Sequence, residues 1–164
     1  MRQIIETAEK VLEEYGGRNI FETAENSGAK VWFRQLGGLK GFYIYENGSR
    51  YIVINSDLDK VMQKVVCAHE FGHDILHREL SVGGIRENTL FLDTNKTERE
   101  ANIFASSVLI SDEEILEQVS YQFDIESVSS GLGYPCEIVK YKLQAMNCKG
   151  YKFNVDDIQN DFLK

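Results

Sequence analysis

Five residues near the middle of the chain, His69-Glu70-Phe71-Gly72-His73, constrain the fold more than any other stretch. They lie in a run from about Leu58 to Arg78 where Val65, Val66, Ala68, Phe71 and Leu76 read as a buried face, so a long central helix is predicted. Residues four apart on a helix sit one above the other, separated by roughly 6 Å of rise. Two imidazoles at that spacing can converge on one tetrahedral Zn2+. A glutamate one residue further round stands beside the ion, where its carboxylate can take a proton from water. Gly72 removes a side chain next to this site and lets another backbone come close.

The chain has 3 histidines, and all of them, His69, His73 and His77, fall on one stripe of this helix. His77 is no third ligand, because it lies about 12 Å along the axis from His69. The third ligand must come from elsewhere, and Glu98-Arg99-Glu100-Ala101-Asn102 is the best source. Glu98, Ala101, Asn102 and Ala105 share one helical stripe, and the small alanines allow close packing against the histidine helix. That phase favours Glu98. Glu100, about 200° round from it, is the second candidate and is expected to face outward. Asn102, one turn beyond Glu98, can hold a ligand histidine by its second ring nitrogen. Cys67 falls on the opposite side of the helix from His69 and reads as a small core residue.

Around this pair the chain reads as α+β. An amphipathic helix over residues 1–15 ends at Gly16-Gly17, and a shorter one follows around Ile20 to Glu25. The period then changes to two at Val31–Leu36, and β-rich runs follow at Gly41–Tyr45 and Tyr51–Asn55. Asn47-Gly48 between the last two signals a hairpin, so a small antiparallel sheet is expected. Ser56 is the expected cap of the long helix. A loop from Gly83 to Asn95, with an extended piece at Leu90–Leu92, leads to a second core helix over Thr97–Ile110. Ser111-Asp112-Glu113-Glu114 reads as a capping box. Helices at Ile125–Ser130 and Cys136–Met146 follow, the latter with Pro135 in its first turn. The expected organisation is a metal-bearing core over 1–110, a C-terminal helical part of the same domain over 111–147, and a tail over 148–164 packed through Tyr151, Phe153, Ile158, Phe162 and Leu163.

Charge argues against nucleic acid as the main partner. The net charge is −8, the wrong sign for gripping a phosphate backbone. Asp124–Leu132, a Gly133-Tyr134-Pro135 turn and Cys136–Met146 trace a helix-turn-helix outline. Yet residues 121–164 carry five Lys against six acidic groups, so packing or protein docking is the better reading. No apolar run is long enough to span a membrane, and Glu6 comes too early for a signal peptide. Three cysteines without close pairing fit a reducing cytoplasm.

The two helix motifs carry a family resemblance. His69-Glu70-Phe71-Gly72-His73-Asp74-Ile75-Leu76-His77 resembles the histidine helix of the ImmA/IrrE family, and Glu98-Arg99-Glu100-Ala101-Asn102-Ile103-Phe104-Ala105 resembles its second motif. Leu36–Tyr43 and Tyr51–Ser56 resemble its hairpin, so the likeness runs from about Ile20 to Met146. One departure is Ser106-Ser107-Val108-Leu109-Ile110-Ser111, where many members have a Leu-Leu-Met-Pro-like end.

The resemblance implies a zincin-like fold of the gluzincin type and a cytoplasmic bacterial or phage-borne zinc metalloprotease that inactivates a helix-turn-helix repressor by cutting it. His69 and His73 would be ligands and Glu70 the catalytic base, with the family's ligand glutamate falling on Glu98. Tyr43, Tyr51 and Arg99 are candidates for stabilising the oxyanion. The rival reading is a zinc-containing binding protein that sequesters a repressor without hydrolysis.

Overall fold

The computed structural model describes residues 1–17, 19–81, 94–119 and 124–155. The expected extended piece at Leu90–Leu92 and the tail contacts through Ile158, Phe162 and Leu163 lie outside them. The elements run α1 (Arg2–Tyr15), α2 (Ile20–Asn26), β1 (Lys30–Arg34), β2 (Gly41–Glu46), β3 (Ser49–Asn55), α3 (Lys60–His77), a 3-10 turn (Arg78–Ser81), α4 (Thr94–Leu109), α5 (Asp112–Gln118), α6 (Ile125–Leu132) and α7 (Cys136–Cys148). The architecture is α+β, as the changes of hydrophobic period predict.

The sheet departs from the antiparallel arrangement expected. Its order is β1-β3-β2, with β2 antiparallel to β3 but β1 parallel to it, so the sheet is mixed. The hairpin is where Asn47-Gly48 puts it, both residues at positive φ, 49° and 76°. The difference lies in the link from β1 to β2, which crosses the end of β3 and leaves β1 on its far side. Asn55, the buried last residue of β3, holds that crossing: its amide donates to the carbonyls of Gly37 (3.0 Å) and Leu39 (2.9 Å). Strand periodicity reports which face is buried, not which neighbour a strand takes.

The main core gathers Ile4, Ile5 and Ala8 of α1, Ile52 and Ile54 of β3, Cys67 and Phe71 of α3, and Ile103 and Phe104 of α4. Cys67 is fully buried there, as its helical phase predicts. A second cluster joins Val65 and Ile110 to Ile115, Val128, Ile138 and Leu143, so α5, α6 and α7 close over the far end of the α3–α4 pair. Helix α7 buries Ile138, Val139, Tyr141, Lys142, Leu143, Ala145 and Met146. Beyond it Tyr151 is exposed and stacks on half-buried Phe153.

Caps set where the helices begin. The cap of α3 is Asp59, not Ser56: its carboxylate accepts from the backbone N–H groups of Val61 and Met62, both at 2.9 Å. Ser56 instead continues the strand end, its N–H donating to the Arg34 carbonyl. The Ser111 capping box on α5 is present in both halves. Helix α4 begins at Thr94 rather than Thr97, and Pro135 caps α7 instead of entering its first turn.

Gly72 is where α3 and α4 come closest. A Cβ there would lie 3.1 Å from the Ala101 Cα and 3.2 Å from both the Ala101 carbonyl oxygen and a Phe104 ring carbon. Two helices approach this closely only where a side chain is absent at the crossing. Gly72→Val is therefore expected to lower stability by about 1–3 kcal/mol through overpacking. Urea unfolding checks this, and an unchanged midpoint would mean the pair can spread freely.

Candidate metal centre

Helix α3 presents His69, His73 and His77 in a column, because the four-residue spacing repeats on one face. The His69 and His73 rings meet edge to face with centroids 4.7 Å apart. Helix α4 crosses at Gly72 and delivers Glu98 to the same point. His69 Nε2 lies 3.1 Å from Glu98 Oε2, His73 Nε2 lies 3.4 Å from Glu98 Oε1, and the two Nε2 atoms are 3.1 Å apart. Among the described residues these three form the group of potential metal donors, with both rings buried and the carboxylate partly open.

The spacing suits a metal ion. Tetrahedral coordination with bonds of about 2.0–2.1 Å places donor atoms roughly 3.3 Å apart. Asn102, one turn beyond Glu98, has its Oδ1 2.9 Å from His69 Nδ1. That oxygen only accepts, so the His69 Nδ1–H donates to it, and a neutral His69 then turns a bare Nε2 toward the Glu98 carboxylate. Two lone-pair donors facing each other call for a cation between them. The pKa directions show how strongly the rings and the carboxylate attract one another. Burial alone would lower the pKa of His69, but its hydrogen bond to Glu98 and the charges of Glu70 and Glu98 outweigh that and raise it. Burial alone would raise the pKa of Glu98, yet hydrogen bonds from His69 and His73 hold its carboxyl well below the usual range.

Glu70 is half-buried next to His69 on the sequence, close enough for its charge to act on that ring. His77 stands apart from the donor group: its Nδ1 is 3.1 Å from His73 Nδ1 and its Nε2 is 2.9 Å from Glu100 Oε2. Glu100 does not face outward as expected. A helical wheel gives its direction around α4 but not where the far end of α3 lies, and that end brings His77 to its flank.

Of the three oxyanion candidates, Tyr43 is buried and its hydroxyl donates to Asp74 Oδ1 at 2.7 Å. Burial first, then that hydrogen bond, pushes its phenol pKa up. Tyr51 accepts from Lys30 Nζ at 3.4 Å, and Arg99 donates to Gln144 Oε1 at 3.2 Å. The partner of Tyr43 is not among the candidate residues read from the sequence. Asp74, fully buried beside His73, also accepts from Arg50 Nη1 (2.8 Å) and Arg78 Nε (3.1 Å), while Arg50 donates to the Ser27 carbonyl as well. The sequence signal for it is a stripe: Cys67, Phe71 and Asp74 lie on one interior face of α3, and an acid there needs a cation.

Comparison with known proteins places these motifs in context. The family model described as the IrrE N-terminal-like domain, a peptidase family, matches residues 24–144. The uncharacterized immunity region protein 2 of Bacillus phage phi105 is 36% identical over 104 residues, covering 63% of this chain. The match spans 65% of that phage protein's length. Metallopeptidase ImmA of Bacillus subtilis strain 168 is 25% identical over 137 residues, covering 82% of this chain and 80% of the relative. Among the described residues no helix is long and apolar enough to cross a membrane.

Proposed function

The chain belongs to the IrrE N-terminal-like peptidase family, and from that premise we propose that it is a zinc-dependent endopeptidase of zincin-like fold, with His69, His73 and Glu98 as metal ligands and Glu70 as catalytic base. The observation that carries this reading is the meeting of two imidazole nitrogens and one carboxylate at 3.1–3.4 Å, from two helices locked together at Gly72. Two nitrogens and one oxygen form a donor set that suits zinc.

When bound, zinc supplies a Lewis acid that polarises a substrate carbonyl and eases ionisation of water. The chain's own groups do the rest. Glu98 balances the positive charge, and Asn102 fixes the His69 ring. Glu70 accepts the proton of the attacking water and passes it to the amine nitrogen that leaves as the peptide bond breaks. The substrate we propose is a helix-turn-helix repressor in a prophage or mobile-element circuit of the cytoplasm. This rests on the sequence motifs and on the immunity-region and ImmA names of the two relatives. Residues 1–110 and 111–147 act as one unit in this reading, supported by the packing of Val65 and Ile110 against Ile115, Ile138 and Leu143.

Zinc stoichiometry tests the centre. Wild type should bind one zinc near-equimolar, and Glu98→Ala should bind it far more weakly. Equal binding by both would send the third-ligand role to another residue, Glu100 first. Incubation of zinc-loaded protein with a helix-turn-helix repressor then tests the reaction: two fragments support hydrolysis, whereas intact repressor held in a complex supports sequestration.

A further inference from the structure

We propose that Glu100 and His77 form a relay that positions His73 and sets its tautomer, so that two residues outside the donor group determine how tightly that group holds a metal ion. The inference rests on the metal reading above and deepens it. The relay is continuous. Glu100 Oε2 lies 2.9 Å from His77 Nε2, His77 Nδ1 lies 3.1 Å from His73 Nδ1, and His73 Nε2 faces the donor group.

Proton counting gives it a direction. A carboxylate only accepts, so His77 Nε2 carries the proton between it and Glu100. A neutral His77 then has a bare Nδ1. The proton in the contact between the two Nδ1 atoms therefore belongs to His73, and a neutral His73 has its lone pair on Nε2, aimed at His69 and Glu98. Each step follows from the one before, starting from a charge on α4 and ending at a donor atom on α3.

Burial makes the relay consequential. His73 is fully buried and His77 is 6% exposed, so the His73 Nδ1–H relies on an acceptor inside the protein. The two ligand histidines are supported differently. His69 leans on a neutral amide, Asn102, whereas His73 leans on an imidazole backed by a carboxylate. The four-residue spacing that carries the histidine stripe on to His77 serves to hold the second ligand.

Competition between the protein and a chromophoric chelator for zinc tests the relay, using metal-free protein and the zinc ion alone. His77→Phe and Glu100→Ala should each weaken zinc binding by about 10- to 100-fold. Glu100→Gln should lose less than Glu100→Ala, because its amide oxygen still accepts from His77. The double variant His77→Phe/Glu100→Ala should bind no more weakly than His77→Phe, because Glu100 acts only through His77. A general structural role would make the two losses independent and would give no rescue by Gln. Affinity unchanged in both single variants, or losses that add, would overturn the relay while leaving the metal centre intact. No zinc bound by wild type would overturn both. Should His77→Phe fail to fold, the Glu100 variants alone decide, since that side chain is 28% exposed and its truncation opens no cavity in the core.

Discussion

Glu70→Gln is expected to lower the rate of peptide-bond cleavage by on the order of 10²- to 10⁴-fold, the range removed with a general base. Gln keeps the shape and the hydrogen-bonding reach of Glu but cannot take a proton at neutral pH. Glu70 stands next to His69 without belonging to the donor group, so zinc stoichiometry should stay near that of wild type. The unfolding midpoint should barely move, because the side chain is only half-buried on the surface of α3. The variant thus separates binding from chemistry. Cleavage of a repressor, followed by gel or mass spectrometry beside the zinc content of the same samples, gives both readings. Undiminished turnover would remove the general-base role from Glu70, whatever the state of the metal.

The second large effect concerns stability. Asp74→Asn is expected to destabilise the protein by about 3–5 kcal/mol, the usual penalty for stranding the partner of a buried ion pair. Asp74 has no exposed side-chain surface and its partner Arg50 has 14%. Removing the carboxylate therefore leaves a guanidinium in a poorly solvated place. The Tyr43 hydroxyl loses a charged acceptor in the same step. The ion pair to Arg78, whose side chain is 39% exposed, contributes much less. Urea unfolding measures the sum. A loss under about 1 kcal/mol would mean that Arg50 finds solvent or another acceptor once Asp74 is neutral.

The effect reaches the proposed function because Asp74 directly follows His73. Tyr43 lies on β2 and Arg50 on β3, so the carboxylate ties the histidine helix to two strands at once. Gly72 and Ala101 fix the same helix against α4 on another side. The imidazoles are thus held from both the sheet and the second helix, which is what a donor group needs if its atoms are to stay at coordinating distance.

Much of this was legible from residue order. The convergence of His69 and His73 follows from a four-residue spacing, and helical phase points Glu98 to the side of α4 that meets them. The Asn47-Gly48 turn and the Ser111 capping box follow from backbone preferences of single residues. All of these involve neighbours within about one turn of backbone, where geometry is nearly independent of the rest of the chain.

Tertiary structure alone decided the rest. The parallel seat of β1 depends on a loop crossing the end of β3, held by Asn55. The pairing of Glu100 with His77 depends on where two helices cross. The seating of Asp74 depends on Arg50, 24 positions away in the chain. Local sequence reveals that a buried carboxylate or ring nitrogen needs a partner, because an unpaired polar group inside a protein is too unfavourable to persist. Which residue supplies that partner is fixed only when the helices and strands pack, since packing brings together groups that no spacing rule connects.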